Sequence, residues 1–129
     1  MTRWYWEQVG GTLVEEFPAI KKGQSCSVRH LDGLIIKNGT HKISKPSEIV
    51  IEGKEIIIIQ TKNKRLNMHL MGQTLFSIEL MRMHNPKSIE SVALCSKTDT
   101  VLETFLLKHK DCKVVVCPQE ICQLTRSSR

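Results

Sequence analysis

A chain of 129 residues and 14.7 kDa is long enough for one hydrophobic core and too short for a multidomain enzyme, so a single domain over 1–129 is expected. Hydrophobic residues at 40%, charged residues at 25%, seven glycines and four prolines exclude a disordered or low-complexity chain. The 19 Lys and Arg against 13 Asp and Glu leave a charge of +6, which favours a polyanionic partner over an acidic one.

The first segment, RWYWEQVGGTLVEEF over 3–17, places Tyr5 or Trp6, Val9, Leu13 and Phe17 three and four residues apart. That spacing predicts one amphipathic helix, closed by Pro18, with the aromatic residues turned inward. Gly10 and Gly11 within it suggest a close backbone approach. The β-rich run at 25–37 reads as a strand ending in the turn signal Asn38-Gly39. A second strand is expected over 48–51, then a turn at Glu52-Gly53-Lys54 and a third strand over 55–62, making an antiparallel meander. The third strand, EIIIIQTK, is apolar enough to be covered on both faces.

Helical spacing of Met68, Met71, Leu75 and Ile78 predicts a long helix over 66–84, stopped by Asn85-Pro86. A strand at 88–96, a helix at 98–110 with Thr98 or Asp99 as its cap, and a strand at 113–117 follow, before a short polar tail. The expected fold is therefore α/β, an αβββαβαβ core with a central mixed sheet flanked by helices.

No apolar run exceeds four residues, as at Ile56 to Ile59, whereas a membrane helix needs about 20, so no membrane association is expected. The opening residues MTRWYWE lack the apolar stretch of a secretory signal, and an intracellular, cytoplasmic setting is expected. Five cysteines without a CxxC pair support neither a disulfide framework nor a zinc module, although Cys117 and Cys122 are close enough in sequence to form a disulfide or share a metal. Cys95 and Cys117 read as small core residues. The five histidines form no HxH or HxxxH pair.

Chemistry concentrates on the strands. Gln60 and Lys62 share one face of a strand and Thr61 the other, while Asp32 is a lone acid between Leu31 and Gly33. If the two strands are neighbours, Asp32, Gln60 and Lys62 converge at one end of the sheet. A carboxylate with amide or main-chain carbonyl oxygens suits Mg²⁺, a hard cation that keeps several waters. Lys62 would then position an attacking water or steady charge developing on a phosphate. The bland alternatives are a turn acid at Asp32 and a solvated basic loop at Lys62 to Arg65.

These residues carry a family resemblance. Glu15 after Gly11, the strand Arg29-His30-Leu31-Asp32-Gly33, the strand end Ile59-Gln60-Thr61-Lys62 and the long helix after it resemble the PD-(D/E)XK nuclease superfamily. In size and element order the chain is similar to archaeal Holliday junction resolvases and Mrr-type endonuclease domains, over residues 8 to about 96. The resemblance implies a restriction-endonuclease-like fold and a Mg²⁺-dependent endodeoxyribonuclease, selective for branched or junction DNA, with Mn²⁺ as a substitute. It assigns catalysis to Asp32, Gln60, Lys62 and Glu15, with Glu16 as the alternative helix acid. Metal ligation falls to Asp32, Gln60, the Thr61 carbonyl and Glu15, and Gln73 lies where family members often place a polar residue facing the site. The basic residues Arg29, Lys64 and Arg65, with Gln73, are expected to contact DNA. A homodimer is implied, as for similar resolvases. The sequence departs from the commonest pattern at Gln60, where an acid is usual, although Mrr-like members also carry Gln-x-Lys. That departure motivates a second reading, a nucleic-acid-binding module that keeps the fold without catalysis.

Overall fold

The computed structural model describes residues 1–20 and 29–127, with side chains described up to residue 123. Its elements run α1 (Thr2–Val9), β1 (Thr12–Ile20), β2 (Arg29–Ile36), β3 (Lys42–Ile43), a 3₁₀ turn (Pro46–Glu48), β4 (Glu55–Arg65), α2 (Met68–Arg82), β5 (Ser88–Lys97), α3 (Thr100–Leu106), β6 (Cys112–Val116) and α4 (Gln119–Ser127). The six strands form one mixed sheet in the order β3-β1-β2-β4-β5-β6. β1, β2 and β4 are successively antiparallel, whereas β4, β5 and β6 run parallel.

The tetrad Ile56 to Ile59 explains why β4 sits centrally. All four residues are buried, and alternation sends Ile56 and Ile58 to one core, Ile57 and Ile59 to the other. Burying each such side chain stabilises the fold by roughly 2 kcal/mol. The first core is closed by α2 through Leu70, Ile78 and Met81 and by α3 through Leu106. The second is closed by Tyr5 and Trp6 of α1 and by Cys122 of α4. Thus α2 and α3 cover one face and α1 and α4 the other. The two parallel crossovers, β4 to β5 through α2 and β5 to β6 through α3, step the same way across the sheet, so their helices fall on one face.

Both crossover helices begin on a side-chain cap. Asn67 accepts from the Leu70 amide at 2.8 Å, and Asp99 accepts from Val101 and Leu102 at 3.1 and 3.0 Å. Buried hydroxyls then fix α2 against β5, because Ser91 donates to the Thr74 carbonyl at 2.7 Å while Thr74 bonds back to Leu70.

Several expectations are corrected. Residues 3–17 do not make one helix: α1 stops at Val9, and 12–20 form a strand. Its pattern imitates a helix because Val14 and Phe17, three apart, face the same core while Leu13 faces the other. Glu16, at φ 53°, supplies the local reversal that breaks strand alternation. No strand covers 48–51; a 3₁₀ turn at Pro46–Glu48 leads through an extended stretch to the turn at Gly53. The turn at Asn38 and Gly39 accordingly leads to the two-residue edge strand β3 and not to a hairpin partner of β2. The third antiparallel strand of the meander is β1. Pro18, which lacks a donor, is tolerated because β3 pairs only with Thr12 and Leu13. The polar tail contains α4, and α3 is shorter than 98–110. Residues 25–28 of the expected first strand, and Cys26, lie outside the described residues.

Cys95, Cys112, Cys117 and Cys122 are free buried thiols. Cys122 lies with its Sγ 3.7 Å from the Cys117 carbonyl oxygen. Burial, then the neighbouring Cys122, pushes the Cys117 thiol up to about 12. Burial also raises Cys95 and Cys112. These groups favour the fold fully below the unfolded thiol value of about 8.5, and their contribution is lost as pH rises from there toward the raised values. At pH 8 a Cys26→Ser variant should react with a disulfide reagent on the order of 100-fold more slowly in native buffer than in denaturant. Fast native labelling would contradict the packing described.

Gly11 is required by both conformation and space. It adopts φ +83°, and a Cβ there would lie 2.5 Å from the Ile36 carbonyl oxygen. Gly72, by contrast, sits in α2 with nothing near its Cβ position. Chemical denaturation should show Gly11→Ala destabilised by about 2 kcal/mol or more and Gly72→Ala stabilised by roughly 1 kcal/mol.

Candidate functional site

The regular pairing of β2 with β4 ends at Gly33↔Ile59, although β4 continues against β5 as far as Lys62 before its register shifts. Where β2 leaves the ladder, the Asp32 carboxylate takes over. Its Oδ2 accepts from the Thr61 amide at 2.8 Å and from the Thr61 hydroxyl at 3.2 Å. The amide and carbonyl of one strand residue point to the same side, so the Thr61 carbonyl also faces the β2 side. Asp32 Oδ1 is left over from this bonding.

A pocket of about 250 Å³ opens at this point, lined by Met1, Thr2, Asp32, Thr61, Lys62, Asn63 and Gln73. It thus draws together Asp32, Thr61, Lys62 and Gln73 from the residues singled out in the sequence. Asp32 and Lys62 line it from two strands without forming an ion pair within 4 Å. On the helical wall, Gln73 Oε1 is buried and has no hydrogen-bond partner. A buried acceptor of this kind is costly unless a cation, a water or a donor reaches it.

Gln60 is only 5% exposed and points to α2, where its Nε2 donates to Ser77 Oγ at 2.9 Å. Ser77 in turn donates to the Gln73 main-chain carbonyl at 2.6 Å. Gln60 therefore stands behind the pocket wall, coupled to Gln73 through Ser77. Neither Ser77, Thr2 nor Asn63 was singled out in the sequence. The spacing of Gln73 and Ser77, one helical turn apart on α2, is the signal that places Ser77 on the same face.

Glu15 lies on β1, not on a helix, opposite Gly33. Arg3 of α1 takes both its oxygens, at 2.9 and 3.2 Å, so its charge is matched there and it does not line the pocket. Glu16, its alternative, falls across from Asp32 between the registered pairs Glu15↔Gly33 and Phe17↔Leu31, with an exposed side chain. Arg29 begins β2 and is exposed. Lys64 and Arg65 are exposed at the end of β4, with Arg65 reaching the Thr98 carbonyl at 3.3 Å. Gly33 explains the close approach of α1, since a Cβ on it would stand 2.7 Å from Thr2 Cγ2.

Among the described residues no three His, Cys, Asp or Glu side chains gather as a metal-holding group. The oxygen-bearing groups of the lining residues are of another kind: the Asp32 carboxylate, main-chain carbonyls, the Gln73 and Asn63 amides and the Thr2 and Thr61 hydroxyls. Such a set fits a hard cation that retains most of its waters, and does not fit zinc. No helix among the described residues is long and apolar enough to cross a membrane. No protein-family profile, curated protein or solved structure matches the chain.

Changing Asp32 tests the local architecture apart from any activity. Asp32→Ala strips the Thr61 amide and hydroxyl of their acceptor, and urea unfolding should register a loss of about 1–3 kcal/mol. A loss below 0.5 kcal/mol, by about the scale of an ordinary surface substitution, would show that the bond contributes little.

Proposed function

We propose that the chain is a Mg²⁺-dependent endodeoxyribonuclease with a restriction-endonuclease-like fold, acting on phosphodiester bonds at the Asp32 pocket. The observation that carries this reading is the unpaired juxtaposition of Asp32 and Lys62 beside the orphaned Gln73 Oε1. An anion and a cation lining one cleft without contact leave room for a third charged group between them. Asp32 Oδ1, the Thr61 carbonyl and the Gln73 amide oxygen would hold Mg²⁺, with the Gln60 amide oxygen supporting them. Bound there, the ion supplies a Lewis acid for the phosphate and lowers the pKa of a coordinated water.

The chain's own residues divide the remaining work. The Lys62 ammonium donates to a phosphate oxygen or holds the attacking water by hydrogen bond, and its charge offsets the negative charge that grows as the phosphorus is attacked. Lys64 and Arg65, exposed just beyond Lys62, would grip the flanking backbone, as would Arg29 at the start of β2. A surface of that sort reads charge and shape more than base sequence, which favours a structure-selective activity on branched DNA.

The second reading, a DNA-binding module without catalysis, has its own observation. Asp32 is the pocket's sole carboxylate among the described residues, and Glu15 is committed to Arg3. One experiment separates the two. Supercoiled, linear and four-way-junction DNA would be incubated with the protein in Mg²⁺, Mn²⁺ or EDTA, alongside Asp32→Ala and Lys62→Ala. Cleavage that needs the metal and falls about 100-fold or more in both variants supports the nuclease. DNA binding with no cleavage under any metal would leave the binding module.

A further inference from the structure

We infer that Ser77 is a positioning residue that fixes the orientation of the Gln60 side-chain amide, so that position 60 offers an oxygen to the pocket side although it carries no charge. The inference rests on the reading of the Asp32 pocket as a cation site and deepens it.

An amide has two ends of similar shape and opposite chemistry. Its oxygen accepts and attracts a cation, whereas its NH₂ group donates and repels one. A glutamine at such a site is useful only if something selects the end, a problem that a carboxylate, with oxygen at both ends, does not have. Ser77 provides the selection. Its hydroxyl proton is committed to the Gln73 carbonyl at 2.6 Å, the usual back-bond of a helical serine to the residue four positions earlier. What Ser77 turns toward Gln60 is therefore a lone pair. Only the NH₂ end of Gln60 can satisfy it, and Nε2 does so at 2.9 Å. The Oε1 end is thereby directed away from Ser77.

The location makes the selection firm. Ser77 is 2% exposed and Gln60 5% exposed, so water does not compete for either group. The same serine ties the two glutamines together, because the carbonyl it bonds belongs to Gln73, whose own Oε1 is the orphan on the pocket wall. Exchanging Gln60 for glutamate would remove the donor that Ser77 faces and oblige its hydroxyl to turn from Gln73 toward the carboxylate. Ser77 and Gln60 are thus matched as hydroxyl acceptor and amide donor, and the serine has no such task beside an acid.

Two measurements test this. In ¹⁵N-labelled protein the Gln60 side-chain amide protons should exchange at least about tenfold more slowly than in Ser77→Ala, which keeps a good helix former at the site. Equal exchange in both would overturn the inference. Mn²⁺ titrations of the protein without DNA form the second arm, across wild type, Ser77→Ala, Gln60→Glu, the double variant of these two, and Asp32→Ala. Ser77→Ala should weaken Mn²⁺ binding about fivefold beside Gln60, the scale of one hydrogen bond, and less than about twofold in the Gln60→Glu background. An equal loss in both backgrounds would mark Ser77 as merely structural and overturn the positioning role alone. Mn²⁺ affinity unaffected by Asp32→Ala would instead overturn the cation site, and the role of Ser77 with it.

Discussion

The hydrogen bond from the Thr61 amide to the Asp32 carboxylate is the constraint on which the rest of the site depends. Two antiparallel strands that separate normally leave a row of unpaired amides and carbonyls, and in a partly buried position those groups are expensive. Here β2 parts from β4 after Gly33 and Ile59, yet the first exposed donor of β4 is not orphaned, since a side-chain oxygen replaces the lost strand carbonyl. A charged acceptor also makes a stronger bond than the carbonyl it replaces. The sheet can open into a cleft because Asp32 makes the opening inexpensive. Only Oδ2 is used in this bonding, and the same bond turns the Thr61 carbonyl toward the side of the sheet where Asp32 stands.

The opposite side of β2 carries the matching distortion. Leu31 and Leu34 both reach the α2-facing core although they are three residues apart, so β2, like β1, loses its alternation. The irregularities face each other, with Glu16 in a left-handed conformation across from Asp32. Gly33 then lets Thr2 press onto the sheet, bringing the start of α1 to the rim of the pocket. The cleft is thus bounded by one strand that switches faces, one glycine that admits a helix, and one carboxylate that closes the ladder.

This geometry also explains what could be read from the sequence. The core elements with simple physics were legible: β4 from its isoleucines, α2 and α3 from period and caps, β5 and β6 from apolar runs bounded by turns. The segment over 12–20 was not, because a strand whose alternation breaks at Glu16 presents Leu13 and Phe17 at a spacing that a helix shares. Asp32 and Lys62 were legible because a charge on a strand near the core needs a reason. Ser77 was not, since a helical serine gives no sign of which way its proton points until Gln73 and Gln60 are seen on either side of it. The role of Glu15 also depended on a tertiary fact, that α1 ends early enough for Arg3 to lie over β1.

Charge gives these parts a common logic. With Glu15 matched by Arg3, the ionised side chains lining the pocket are Asp32 and Lys62, whose charges cancel, and Met1 brings no side-chain charge of its own. A cleft with one carboxylate has little electrostatic attraction for a divalent cation alone, and the uncharged Gln60 behind its wall adds none. A cation and a phosphodiester arriving together present opposite charges to Asp32 and Lys62, so each lowers the cost of bringing in the other. On the proposed reading, cation and DNA affinities are therefore linked, and linkage requires each to strengthen the other by the same factor. On the same reading, the neutral Gln60, its amide nitrogen held by Ser77, shifts the site from one that would store a metal toward one that would gather it when the polyanion is present.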